Sequence, residues 1–85
     1  MQILRLPAVK TRRGLPSDAS IYNEINQGLF TKGVAIGKRA RGWPDFEVDA
    51  INFARIAGKS DSEIRGLVTE LHAKRKELLN GGATQ

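Results

Sequence analysis

The sequence lacks cysteine altogether and has a single histidine, His72, among its 85 residues. Without thiols the chain forms neither a disulfide framework nor a thiolate zinc site, and one histidine excludes a multi-histidine metal centre. No run approaches the roughly 18 apolar residues of a membrane-spanning helix, and the interrupted N-terminal segment does not resemble a signal peptide. We therefore expect a soluble, cytoplasmic protein with no metal, no cofactor and no membrane partner.

Catalytic signatures are also missing. Nothing in the sequence places a nucleophile beside a general base with a third orienting group, and no phosphate-binding glycine loop is present. We therefore predict no catalytic residues and no enzymatic activity. The 85 residues, of which 40% are hydrophobic, are enough for one small core, so a fully disordered chain is not expected.

The charge distribution is the first positive indication of function. The chain carries 14 basic and 9 acidic residues, a net charge of +5. Residues 1–45 hold eight of the basic residues and only three of the acidic ones, whereas residues 46–85 hold six of each. All of the excess positive charge therefore lies in the first half, a distribution typical of a protein that binds a polyanion.

Helix start and stop signals divide the first thirty residues into two short helices. Pro7 suits a first helical position and Gly14 a position just past a helix end, which predicts a helix from residue 6 to about 13. Ser17 can cap a second helix that continues to about residue 27, before Gly28. Two short helices joined by so short a connection form a helix-turn-helix shape.

A change of period after residue 31 indicates a β-hairpin. Two short strands, over residues 34–36 and 40–43, flank a turn at residues 37–39. Such short strands must pack on the helices to be stable. With Lys38 and Arg39 in the turn and Arg41 close behind, the hairpin would form a basic wing. Trp43 is predicted to be a core anchor that fills space with Phe30 and Phe46.

The second half of the chain has two more helical patterns. One runs from residue 44 or 45 to about 57, with an apolar face made of Phe46, Ala50, Phe53, Ala54 and Ala57 and widened by Val48 and Ile51. A capping box at residues 60–63 opens the last helix, which is predicted to end near Leu79. We divide the chain into residues 1–58, a C-terminal helix over residues 59–80, and a flexible tail over residues 81–85.

The apolar stripe of the last helix has two possible uses. It could pack back on the domain, or it could pair with a second copy of the chain. Because one small domain offers few base contacts, useful specificity usually comes from dimers or cooperative arrays. We therefore favour a homo-oligomer or a cooperative assembly. His72 in this helix is expected to be solvated or to face a partner.

Six segments in a particular order resemble the AlpA family of phage and prophage regulators, which are related to excisionases and to the DNA-binding heads of MerR regulators. Together they cover a little over half of the chain. The segments are residues 5–9 (RLPAV), 20–22 (SIY), 28–30 (GLF), 34–37 (VAIG), 39–43 (RARGW) and 47–50 (EVDA).

This resemblance implies a fold that is mostly α with a small β-hairpin: a winged helix-turn-helix, here followed by an additional C-terminal helix. It implies that the second helix enters the major groove of DNA and that the wing reaches a neighbouring minor groove or the backbone. The chain departs from the family pattern in two places. Residues 15–20 are about one residue longer and lack an arginine, and Asn23 and Glu24 follow Tyr22 where the family often has arginine.

The candidate DNA contacts lie in the two helices and the wing. Asn23 and Gln27 have the amide geometry that pairs with adenine, and Ser20 can hydrogen-bond a base or a phosphate. Basic residues would bind phosphates or a narrow minor groove. The full predicted set is Arg12, Arg13, Ser17, Ser20, Tyr22, Asn23, Gln27, Lys32, Lys38, Arg39 and Arg41.

The resulting prediction is a sequence-specific regulator of phage or mobile-element genes that binds double-stranded DNA. It would act on transcription, with RNA polymerase as partner, or as an excisionase-type recombination directionality factor, with integrase as partner. The alternative is a protein-interaction adaptor that uses its basic surface on an acidic partner.

Overall fold

A computed structural model describes the backbone of residues 1–84 and the side chains of residues 1–78. It confirms the predicted fold class, which is mostly α with a small β component and an additional C-terminal helix. In chain order the elements are β1 (Ile3–Leu4), α1 (Leu6–Arg13), α2 (Asp18–Asn26), β2 (Val34–Ala35), β3 (Arg41–Pro44), α3 (Asp45–Ile56) and α4 (Asp61–Thr84).

Local signals determine where the first two helices begin and end. Pro7 occupies the first turn of α1, and Gly14 ends that helix in the left-handed region at φ 68°, which a residue with a Cβ adopts only at a cost. Ser17 caps α2, because its hydroxyl accepts a hydrogen bond from the Ser20 backbone N–H at 3.2 Å. Both helices lie within one residue of the predicted bounds.

The capping box of α4 is also confirmed. The Glu63 N–H donates to the Ser60 hydroxyl at 3.2 Å, and the Ser60 N–H donates to the Glu63 carboxylate at 3.0 Å. These hydrogen bonds favour the charged carboxylate and lower the pKa of Glu63. α4 runs to Thr84 and not to the predicted end near Leu79, so it enters the segment predicted to be a flexible tail; Gln85 lies outside the described residues.

The sheet has three strands in the order β1-β3-β2, all antiparallel. The predicted hairpin is confirmed, with Val34 opposite Gly42 and Ala35 opposite Arg41. The sequence did not predict β1, in which Leu4 pairs with Trp43. β3 is therefore the central strand, and the wing is joined to the N-terminal segment of the chain as well as to its own hairpin partner.

Gly42 allows β1 to pack closely against β3. A Cβ on Gly42 would overlap Cγ2 of Ile3. A side chain at position 42 would occupy the space that Ile3 of β1 fills. This close approach holds β1 against the base of the wing.

Trp43 is a core anchor, as predicted, and it is the largest fully buried side chain of the described residues. It has no exposed surface and stacks on Phe30, with the ring centroids 6.2 Å apart and an interplanar angle of 22°. Its indole N–H donates to the Thr31 carbonyl at 2.9 Å. The hairpin is therefore anchored in the core by one residue that both packs and hydrogen-bonds.

The stripe of α4 packs back on the domain. Ile64, Val68 and Leu71 are buried and belong to the same hydrophobic cluster as Trp43. Of the two possible uses of the stripe, packing on the domain therefore applies to these three side chains, whereas Leu78 is 48% exposed and self-association stays a prediction. The C-terminal helix shares one core with residues 1–58.

The predicted apolar face of α3 is partly wrong. Val48 and Ile51 are fully buried, but Phe53 is 67% exposed. The core side of α3 instead includes the carboxylate of Glu47, which has no exposed surface. Glu47 pairs with Arg75 of α4, which compensates its buried charge.

Candidate nucleic-acid interface

The exposed face of α2 is polar. Ile21 is buried on the inner side of the helix, whereas Asn23 and Gln27 are exposed, as predicted. Asn26 is exposed as well and was not among the predicted contacts. It could have been found from helical spacing, since it lies four residues after Tyr22 and three after Asn23 and therefore shares their side of the helix. Three amide side chains thus face outward from one short helix.

The two serines at the start of α2 have structural partners. The hydroxyl of Ser17 caps the helix and lies 3.0 Å from the hydroxyl of Ser20. Ser20 is half-buried and Ser17 is exposed. Both lie at the N-terminal end of α2, where backbone N–H groups favour a negative charge such as a phosphate.

The wing presents its basic residues to solvent. The Ile36 N–H donates to the Ala40 carbonyl at 3.0 Å and closes the loop around residues 37–39. Lys38 and Arg39 are exposed in this loop, and Arg41 is exposed at the start of β3. These three positively charged residues therefore lie at the tip and along one edge of the hairpin.

A depression brings the wing, α1 and α2 together, and we call it the arginine groove. Arg39 and Arg41 of the wing and Tyr22 of α2 line it, together with Arg5, Leu6 and Pro7. Tyr22 is 43% exposed here. Arg5 was not among the predicted contacts. It is far from the wing in the sequence, and the pairing of β1 with β3 brings it to the arginine groove.

A second depression adjoins the arginine groove and shares Tyr22 and Arg41 with it. Lys32, which is exposed, lines this second depression at the base of the wing. The positive charge therefore continues from the tip of the hairpin to its base along the side of Tyr22.

The basic residues of α1 point into the protein or onto acidic neighbours. Arg13 has a side chain only 5% exposed; it pairs with Glu24 at 2.5 Å and donates to the side-chain amide oxygen Oδ1 of Asn52 at 2.7 Å. Its guanidinium carbon also lies 5.3 Å from the centroid of the Phe30 ring. Arg13 thus fastens α1 to α2 and α3, and the predicted phosphate contact does not fit this buried position.

Arg12 and Lys10 of α1 also have acidic partners. Arg12 lies 3.3 Å from Asp49 of α3, and Lys10 lies 2.7 Å from Asp18 of α2. Arg12 borders a different depression, next to Asn52 and Ile56, which shares no residue with the arginine groove. The structure therefore does not bring Arg12 together with the other predicted contacts.

Pairing divides the positive charge of the first half into two groups. The three basic residues of α1 face carboxylates. Among side chains 1–78, no carboxylate lies within 4.0 Å of the basic group of the other five, which are Arg5, Lys32, Lys38, Arg39 and Arg41. All of these except Lys38 line the two depressions that share Tyr22. Most of the unpaired positive charge of residues 1–45 therefore lies beside the exposed face of α2.

Other kinds of site receive no support from the described part of the chain. No group of three or more His, Asp or Glu side chains there could hold a metal ion. Within residues 1–84, no helix has both the length and the apolar composition needed to cross a membrane.

Two consecutive short helices, a basic hairpin beside the second one, and a polar outward face on that helix define a winged helix-turn-helix protein. Comparison with protein families gives the particular family. Residues 2–50, more than half of the chain, match the model of the prophage CP4-57 regulatory protein (AlpA) family, and the chain belongs to that family. The family is one of phage regulatory proteins and not a class of enzymes.

The match covers β1, α1, α2, the wing and the first half of α3, and leaves α4 outside. Comparisons with curated proteins and with solved structures give no significant match.

Proposed function

We propose that this chain binds double-stranded DNA with α2 in the major groove and the wing on the adjacent backbone or minor groove, and so regulates phage or mobile-element genes. One observation carries the proposal: four unpaired basic residues, Arg5, Lys32, Arg39 and Arg41, line the two depressions that share Tyr22, beside the exposed amides of α2. Positive charge binds phosphates and sets the register of the protein on the duplex, whereas amides on a helix can read base edges.

The two surfaces have complementary roles in this proposal. Arg39 and Arg41 would bind phosphates or enter a narrow minor groove, where the negative potential is strongest. Asn23, Asn26 and Gln27 would face the bases, since a reading helix inserts its exposed side into the major groove. Membership of a phage regulatory family supports this use of the surface.

Regulation by the bound protein can take two routes. Recruitment of RNA polymerase would activate transcription, and assistance of an integrase would direct recombination. Both routes begin with the same complex on DNA. Assays with each enzyme added to the protein–DNA complex distinguish them.

The salt dependence of duplex binding tests the proposal. If the five unpaired basic residues of residues 1–45 each neutralise one phosphate, the logarithm of the association constant should fall with the logarithm of salt concentration with a slope of about −4 to −5. Fluorescence anisotropy of a labelled duplex at several salt concentrations measures this slope. Absence of binding at low salt, together with retention of the protein on polyglutamate, would instead favour the adaptor that uses an acidic partner.

Substitution of the amides of α2 tests sequence reading. Asn26→Ala and Asn23→Ala should change which duplexes are enriched from a random library, because a bidentate amide–adenine pair discriminates by about 1–3 kcal/mol. Lys38→Ala serves as the control: it should lower affinity for all duplexes alike, since phosphates carry no sequence information. An unchanged enriched sequence for both asparagine variants would mean that α2 does not read bases.

A further inference from the structure

α4 contacts the segment that connects α2 to the wing, although it lies outside the family match. The Arg65 guanidinium donates to the Gln27 carbonyl at 2.8 Å, at the end of α2. Farther along α4, two side chains reach the two sides of one residue's backbone: His72 accepts from the Lys32 N–H at 3.1 Å, and Arg75 donates to the Lys32 carbonyl at 2.6 Å. α4 therefore holds both the reading helix and the base of the wing.

The contact from Arg75 is fixed by a buried ion pair. The guanidinium donates to both carboxylate oxygens of Glu47, at 2.8 and 2.6 Å, and Glu47 has no exposed surface. Two parallel hydrogen bonds leave the guanidinium little freedom to rotate. Because Arg75 is held in this way by α3, its hydrogen bond to the carbonyl sets the position of Lys32, one residue before Gly33 and two before β2.

The contact from His72 depends on its protonation state. The imidazole Nε2 accepts a hydrogen bond only when it carries no proton. Three charged side chains surround it: Arg75 of α4, Glu47 of α3, and Lys32 of the connecting segment. Burial lowers the pKa of His72 below its ordinary value of about 6.5, Arg75 and Lys32 lower it further, and Glu47 acts in the opposite direction.

From these contacts we propose that α4 positions the wing for DNA through His72 and Arg75, and that protonation of His72 releases Lys32 and weakens DNA binding. This inference rests on the proposed DNA-binding function. A protonated Nε2 would turn a second donor toward the Lys32 N–H, and the base of β2 would lose its anchor on α4. His72 and Arg75 are thus positioning residues: they hold the backbone of Lys32, and Lys32 in turn places the basic residues of the wing.

The direction of the pH effect follows from the lowered pKa. The folded chain favours neutral His72, so its contribution to stability is complete above about pH 6.5 and is lost as the pH falls below that value toward the lowered pKa. If protonation of His72 did no more than add a positive charge, duplex affinity would increase at low pH, because positive charge strengthens binding to phosphates. The sign of the pH dependence therefore separates the two effects.

The test compares the full chain with His72→Gln between pH 7.5 and 5.5 at constant salt. Glutamine can place an acceptor oxygen near the position of Nε2 and does not titrate, and His72 is the only histidine in the chain. Duplex affinity of the original chain should fall progressively as the pH decreases below 6.5, toward a limit of about fivefold once His72 is protonated, the size of one net hydrogen bond. His72→Gln should keep its affinity over this range, and His72→Ala should bind about fivefold more weakly than the original chain at pH 7.5.

A second measurement monitors the hydrogen bond between the Lys32 N–H and His72 in the absence of DNA. The backbone amide of Lys32, observed by NMR in the free protein, should lose protection from hydrogen exchange on acidification in the original chain and retain it in His72→Gln. Identical pH profiles of the two proteins in both measurements would overturn the inference. Failure of the proposed function is distinguishable, since it would appear as no duplex binding even at pH 7.5.

His72 variants are preferred to Arg75→Ala, which would leave the buried Glu47 charge uncompensated and could unfold the chain.

Discussion

Trp43→Ala is expected to destabilise the protein by about 3–5 kcal/mol, the usual cost of truncating a large buried aromatic side chain. Small domains have a free energy of unfolding of roughly 5–15 kcal/mol, so this loss removes much of the stability. Trp43 is fully buried, stacks on Phe30 and donates to Thr31, so the substitution removes both packing and a hydrogen bond. Urea unfolding followed by circular dichroism measures the effect.

Two control variants show which property of Trp43 matters. Trp43→Phe retains a ring against Phe30 but leaves the Thr31 carbonyl without its donor, so it should cost less than alanine. Ile56→Ala removes an apolar side chain that is 81% exposed and should change stability by about 0.5 kcal/mol or less. A Trp43→Ala protein that unfolds at the same urea concentration as the original chain would contradict the role of Trp43 as core anchor.

The double substitution Arg39→Ala, Arg41→Ala is expected to lower duplex affinity at least about 100-fold. Each substitution would remove a charged hydrogen bond to phosphate, of about 1.5–3 kcal/mol, and each 1.4 kcal/mol is a factor of ten. The salt slope should also become less negative by about two units, because two fewer phosphates are neutralised by the protein. Fluorescence anisotropy on one duplex at several salt concentrations gives both quantities. Stability should change little, because both side chains are exposed.

Arg12→Ala is the matched control for this prediction. It also removes one exposed arginine, but that arginine lies beside Asp49 and outside the arginine groove. Its affinity and its salt slope should stay near those of the original chain. If Arg12→Ala weakened binding as much per arginine as the wing substitutions, total charge and not the position of the wing would control binding.

Local features of the sequence were enough to place most elements. Ser17 caps α2 and the box at residues 60–63 begins α4, because a cap needs only groups within three residues. The turn at residues 37–39 was likewise placed by residues within the hairpin. β1 was not predicted, since a strand of two residues has no period of its own and exists only through its pairing with β3.

The composition of the candidate site was predicted less well. The wing residues were identified because they are adjacent in sequence. Arg12 and Arg13 look similar to them in the sequence but face acidic partners on other helices: Asp49 lies 37 residues from Arg12, and Glu24 lies 11 residues from Arg13. Arg5 was overlooked for the converse reason, because its neighbours in the arginine groove come from α2 and the wing.

The sequence by itself thus determined the helices, the hairpin tip and the total positive charge, all of which depend on residues close together along the chain. The tertiary structure alone decided which basic residues remain unpaired and which side of α3 is buried. It also decided that two side chains of α4 hydrogen-bond to the backbone of Lys32. The physical reason is the range of the interactions: a cap or a turn is complete within a few residues, whereas an ion pair such as Glu47 with Arg75 forms only after the fold has brought distant segments together.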